Sequence, residues 1–333
     1  MRIRNTRSAA AVLAGMMAVL AAASCGGSES PSQAAPSGSG AKKATVVATT
    51  TQVADFARNI GGDKITVNQI LKPNVDAHDY EASPADIQAL AQADLVIKNG
   101  VGLEAFLERA ISSSGFSGTV VDASKGVTIR EGAPEEAHEE GEEAHEGEEE
   151  AHAEGDPHIW HNPQNVVVMS RNIAAALAAK DPANKATFDQ NLATYTRKLQ
   201  QLDTWITQQI NTIPADQRKL VTNHDAFGYY IDRYRLTFVG AIIPSFDTTA
   251  ELSAKSLNDL VTKIKATGVK AIFSESSLPP KTAQTIGAQA GVTVEAGEDS
   301  LYGDSLGPPG SSGGTYLDME RHNTTTIVNA LKG

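Results

Sequence analysis

Cysteine is almost missing: the 333 residues contain one, Cys25. No internal disulfide and no thiolate cluster is therefore possible, and any metal chemistry must rest on imidazole and carboxylate. Positive charge of the kind that meets phosphates is also missing. The formal charge is -12, and the thirteen acidic residues between Glu131 and Asp156, accompanied by no Lys or Arg, outweigh it. Removing them leaves the remainder at +1, with no basic stripe, so nucleic acid is excluded as a partner. Aromatics are few, at 5 %, and alanine is abundant, but the composition is otherwise that of an ordinary soluble protein. No helical H-E-x-x-H pattern and no serine on a strand-to-helix elbow is present, which removes two common hydrolase signatures.

The N-terminus reads as a targeting segment. Arg2, Arg4 and Arg7 precede an uncharged, largely apolar run from Ala9 to Ala23, short for a membrane span and suited to a signal peptide. It ends in Ala22-Ala23-Ser24-Cys25-Gly26-Gly27, which resembles a bacterial lipobox and makes Cys25 the expected lipidation site. The alternative is ordinary cleavage that leaves a free cysteine. Residues 1–24 are thus expected to be a lipoprotein signal peptide and 25–44, rich in Ser, Gly, Pro and Ala, a flexible tether.

Folded sequence begins at Thr45-Val46-Val47-Ala48-Thr49, a β-branched run. Helical spacing of Val53, Phe56, Ala57 and Ile60, strand character over 65–71, a helix start at Ser83-Pro84-Ala85-Asp86, and further strands at 95–97 and 119–121 follow. The second half repeats this alternation through strands at 220–222, 236–243, 271–273 and 292–294. The pattern predicts an α/β protein of two lobes, each with a mainly parallel sheet flanked by helices. Between them, Phe188, Leu192, Tyr195, Leu199, Leu202 and Ile206 form one apolar stripe behind an Asp181-Pro182 start. This predicts a linker helix over 181–212, roughly 45 Å long. A coiled-coil arm is the alternative, but two to three heptads favour packing along both lobes. The lobes are expected at 45–180 and 213–333.

Three histidines sit in short polar segments after strands: His78 in Asp76-Ala77-His78-Asp79-Tyr80-Glu81, His158 in Asp156-Pro157-His158-Ile159-Trp160, and His224 in Asn223-His224-Asp225-Ala226-Phe227-Gly228. Ligands of open α/β sheets bind beyond the carboxyl ends of strands, and imidazole suits borderline cations such as Zn²⁺. A lone loop histidine is more often a hydrogen-bonding residue, so it is the trio in an exported chain that points to metal.

These segments, with Lys98-Asn99-Gly100-Val101-Gly102-Leu103-Glu104, Phe273-Ser274-Glu275 and the stretch from Thr315 to Asn323, resemble the zinc and manganese solute-binding proteins of bacterial ATP-driven metal importers. The resemblance runs from Thr45 to the C-terminus. It implies two lobes joined by a rigid helix, no enzymatic activity, and a monomer on the outer face of the membrane, held by its lipid and serving an importer permease with its ATPase. It further implies metal ligands at His78, His158 and His224, where manganese-selective members usually carry Glu at the third place, so His224 favours Zn²⁺ over Mn²⁺. The fourth ligand is an Asp before the Thr315-Tyr316-Leu317 motif. Asp299 and Asp304 both qualify, and Asp304 is chosen because its spacing to Tyr316 fits the family. Glu275 resembles a glutamate beside the metal cleft and is expected to orient a ligand histidine. His161 departs from the pattern and reads as a surface residue, with an orienting donor or accessory ligand as alternatives. His322 reads as structural.

Residues 131–155 are low in complexity, with His138, His145 and His152 seven apart among glutamates. Like-charge repulsion and the lack of apolar residues predict a disordered insert, and its histidines a weak accessory zinc-collecting loop. The alternative is a charged insert without a role. Three rival functions remain at this point: a binding protein for manganese or another divalent metal, an adhesin-like surface lipoprotein, and a zinc hydrolase. A hydrolase needs an open coordination position, which four protein ligands would fill.

Overall fold

Parallel pairing dominates because successive strands of each sheet are joined through a helix that returns the chain to the same end of the sheet. In the computed structural model, residues 43–131 and 155–332 are described. The signal peptide, the tether with Cys25, and His138, His145 and His152 lie outside the described residues. The first lobe runs β1 (Ala44–Ala48), α1 (Thr51–Gly61), β2 (Ile65–Gln69), α2 (Pro84–Ala91), β3 (Leu95–Lys98), α3 (Leu107–Ser114) and β4 (Thr119–Asp122). Its four strands are all parallel in the order β2-β1-β3-β4. Two helices follow, α4 (Pro163–Lys180) and α5 (Lys185–Ile210). The second lobe runs β5 (Lys219–His224), α6 (Gly228–Tyr234), β6 (Thr237–Ile243), α7 (Ala254–Thr267), β7 (Ala271–Phe273), α8 (Lys281–Ala290), β8 (Thr293–Glu295) and α9 (Tyr316–Lys332). Its sheet is again all parallel, in the order β6-β5-β7-β8. The two lobes therefore share one strand order, and in each the connections cross over beyond the same ends of the sheet.

Local sequence explains the ends of these elements. Ser83 accepts a hydrogen bond from Asp86 N while the Asp86 carboxylate accepts from Ser83 N, a capping box with Pro84 at the first helical position. Asn162-Pro163 starts α4 by the same device, Asn162 accepting from Gln164 N. The central strands are buried on both faces, as Val46, Val47, Ala48, Val96 and Ile97 in the first sheet and Leu220, Val221, Ile272 and Phe273 in the second show.

The linker helix differs from its sequence-based bounds. Asp181 caps a single 3-10 turn, Pro182–Asn184, and the α-helix proper is the 26 residues of α5, about 39 Å at 1.5 Å per residue. The proline at 182 tightens the first turn instead of opening the α-helix. Phe188, Tyr195, Leu199, Leu202 and Ile206 are buried along one face, with Leu192 partly so, and each buried side chain stabilises the fold by about 1.5–3 kcal/mol. This face meets α1, α4 and α9. One continuous core consequently runs from β1 and β3, through α4, α5 and α9, to Phe273 and Leu301 in the second lobe. The far side of the second sheet has its own cluster under α7 and α8, around Val221, Leu260, Ile264, Ile272 and Ile286. The described residues belong to one compact unit, Lys42–Gly333, and the shared core opposes wide separation of the lobes.

Candidate metal centre

Four loops carry polar side chains to one point beyond the carboxyl ends of the two sheets. His78 follows β2, His158 precedes a 3-10 turn at Ile159–His161, His224 ends β5, and Asp304 follows β8. One donor atom from each of these four residues lies within 4.8 Å of all the others. His78 Nε2 is 3.4 Å from His158 Nε2, and His224 Nε2 is 3.2 Å from it. The Asp304 carboxylate stands 3.6, 3.2 and 3.3 Å from Nε2 of His78, His158 and His224 respectively. Both Asp304 oxygens are buried without a hydrogen-bond partner among the described residues. The separations are thus those of donor atoms facing a common centre.

Each histidine is aimed by its own support. Asp156 Oδ1 accepts from His158 N at 3.0 Å and from Nδ1 at 2.8 Å. Glu275 Oε1 does the same for His224, at 3.1 and 2.9 Å. A carboxylate accepts from these rings, so Nδ1 donates in both and Nε2 faces the centre, free to bind a metal once its own proton has left. Asp76 Oδ1 accepts from His78 N at 3.0 Å. Sequence reasoning anticipated an orienting part for Glu275 but assigned none to Asp156 or Asp76. The signal was present as Asp-x-His in both loops, a spacing that lets the carboxylate turn back onto the histidine's N–H.

The segment around Asp304 belongs to the second lobe by sequence, yet the first lobe holds it. Leu306 N donates to Thr51 Oγ1 at 2.8 Å, Asn74 N donates to Ser305 Oγ at 2.8 Å, and Trp160 Nε1 donates to the Gly303 carbonyl at 3.1 Å. Gly303 is required here, because a Cβ at that position would strike the Glu275 carboxylate. The Lys98–Glu104 stretch also has a physical reason. Buried Glu104 accepts from the amides of Asn99 and Gly100 and from Thr49 Oγ1. Asn99 in turn donates to the Pro157 carbonyl at 3.0 Å, which fixes the loop that carries His158.

Electrostatics follow from burial and charge. Burial opposes charge on His158, but Asp156 and Asp304 more than offset it and push its pKa up to about 9. Burial likewise opposes charge on His224, while Glu275 and Asp304 hold it well above the usual imidazole range. His78 is lowered, chiefly by burial. Asp304 would be raised by burial, yet His224 and His78 hold it well below the usual carboxylate range. The site therefore keeps a carboxylate ionised among imidazoles, and a cation binds there by displacing the imidazole protons.

Other sequence candidates fall elsewhere. Asp299 is exposed in the 3-10 turn Gly297–Asp299, outside the four-residue group. His161 is not a surface residue: it is fully buried, stacked on Phe227 at 4.4 Å between centroids, with Nδ1 2.9 Å from Glu320 Oε1. The 3-10 turn rotates it inward toward α6 and α9, and a flanking motif gives no sign of that rotation. His322 braces the fold, its Nε2 lying 2.9 Å from the Ser300 carbonyl.

Two parallel-sheet lobes with one central helix and a buried His₃Asp cluster define a class, that of the cluster-type binding proteins of metal importers. Residues 46–330 match the family described as zinc-uptake complex component A, periplasmic, and the chain belongs to that family, whose members are solute-binding components and not enzymes. It is 32 % identical over 324 residues to the metal ABC transporter substrate-binding lipoprotein ScbA of Streptococcus cristatus, covering 95 % of this chain and 96 % of the relative. It is 33 % identical over 298 residues to the manganese ABC transporter substrate-binding lipoprotein PsaA of Streptococcus mitis, covering 87 % and 90 %. The solved structure of the periplasmic zinc binding protein TroA from Treponema pallidum superimposes with a TM-score of 0.76 at 29 % identity, covering 88 % of this chain and all of that one.

Proposed function

We propose that the protein captures Zn²⁺ outside the cytoplasm and delivers it to the permease of an ABC importer, with His78, His158, His224 and Asp304 as the ligands. The observation that carries this reading is the set of donor separations, 3.2–3.6 Å across five pairs, with Asp304 Oδ1 nearest His158 and Oδ2 nearest His78 and His224. A tetrahedral ion with bonds of about 2.0–2.1 Å has ligand–ligand edges of about 3.3–3.4 Å. Four protein ligands close such a site, which suits carriage of the ion and leaves no position for hydrolysis. Three imidazoles to one carboxylate favour Zn²⁺ over the harder Mn²⁺. The manganese-named relatives favour the second cargo, Mn²⁺, and metal competition separates the two.

The relatives' designation as lipoproteins supports anchoring through Cys25 to the outer face of the membrane. His138, His145 and His152 would collect zinc weakly and deliver it to the site. Chelator competition with wild-type, His78→Ala and His224→Ala proteins tests the assignment. Tight zinc binding is expected to be lost in both variants, and its retention in both would refute the site.

A further inference from the structure

The segment between β6 and α7 touches the neighbour of His224, the ring of His158 and the support of His78. At its root, Asp225 N, next to His224, donates to the Ser245 carbonyl at 3.1 Å. Midway, the Phe246 ring stands edge-on to His158, 6.3 Å between centroids. At its tip, Thr248 Oγ1 donates to Asp76 Oδ2 at 2.7 Å, and the other oxygen of the same carboxylate holds His78 N at 3.0 Å. The segment orders itself for this task. Asp247 Oδ1 accepts from Thr249 N at 2.8 Å and from Thr249 Oγ1 at 2.7 Å, and Ser245 Oγ accepts from Asp247 N at 3.0 Å.

Position makes the Thr248 contact special. Side chains of His158, His224 and Asp304 are wholly buried, whereas His78 retains 7 % exposure, so solvent approaches past His78. The other cross-lobe bonds near the site engage backbone groups of Asn74, Gly303 and Leu306. The Thr248–Asp76 bond at the mouth joins two side chains, each half-buried. It is the contact that opens at least cost to the rest of the fold.

We propose that Thr248 is a positioning residue that governs metal release: by latching Asp76 across the cleft it holds His78 against the ion, with Phe246 closing the space over His158. The proposal rests on the zinc-capture reading above. The latch acts on the way out. It retards escape, because His78 must swing outward first.

The experiment loads full-length protein with Zn²⁺ and follows release into excess chelator by stopped flow, for wild type, Thr248→Val and Thr248→Ser. Valine keeps the shape and removes the hydroxyl; serine keeps the hydroxyl. Release from Thr248→Val is expected to be about 3- to 10-fold faster, the range of one net hydrogen bond, with the metal-free melting temperature lowered by no more than about 2–4 °C and Thr248→Ser near wild type. Equal release from Thr248→Val and wild type overturns the latch, as does acceleration of the same size in both variants. A wild-type protein that holds no zinc removes the capture reading itself, whereas tight zinc with equal release rates removes only the latch.

Discussion

Glu275 offers the most detailed test of how the site is aimed. Its Oε1 accepts from both the backbone N and Nδ1 of His224 at 3.1 and 2.9 Å, and it is buried with His224 at the end of β5. Glu275→Gln leaves an amide oxygen able to take both hydrogen bonds, so the ring keeps its direction and loses only the charge behind it. Glu275→Ala removes the acceptor, strands two buried N–H groups and frees the ring to rotate. Removing an orienting partner of a metal ligand commonly costs 10- to 100-fold in affinity, so Gln is expected near the lower end, about tenfold, and Ala at about 100-fold. In free energy these are about 1.4 and 2.7 kcal/mol. Competition against a chromophoric chelator measures both. Equal affinity in all three proteins would refute the claim that Glu275 aims His224, and equal losses in Gln and Ala would refute the division into direction and charge.

Asp304→Ala should lower zinc affinity by more than about 100-fold, while Asp299→Ala, at an exposed turn, should stay within about twofold; the reverse order by the same assay would move the fourth ligand. Zinc must displace the proton that His158 holds up to about pH 9, so apparent affinity should rise through pH 7–9, about tenfold per pH unit for each proton displaced. A flat profile would contradict that linkage. The same raised pKa stabilises the metal-free fold fully below the ordinary histidine value of 6.5 and is lost as pH rises through about 9. The melting temperature of metal-free protein should therefore fall between about pH 7 and 9.5 in a thermal scan. Deleting residues 135–154 should remove weak additional zinc equivalents and leave the tight one, and calorimetry with unchanged stoichiometry would dismiss the accessory loop.

Much of the fold was legible because its signals are local. The β-branched runs at Val46-Val47 and Val120-Val121 and the Ser83-Pro84 start announce strands and a helix through backbone preference alone. The Asn162-Pro163 start of α4 carries the same signal as Ser83-Pro84, a capping side chain directly before a proline. The placement of side chains was less legible where it depends on distant partners. His224 finds Glu275 51 residues away, and only resemblance links them in sequence. His161 turns toward Glu320, 159 residues on, and nothing near it announces burial. The Asp304 segment fastens to Thr51 across 255 residues. By contrast Asp76 and Asp156 each lie two residues before a histidine and act locally, so their part was available from spacing.

The most direct test of the central claim is anomalous diffraction from crystals of protein purified without added metal, recorded on both sides of the zinc edge. The account predicts a zinc peak among His78 Nε2, His158 Nε2, His224 Nε2 and the Asp304 carboxylate, at about 2.0–2.2 Å from each. A peak bound elsewhere, or an ion at this point that shows no zinc edge, would contradict it.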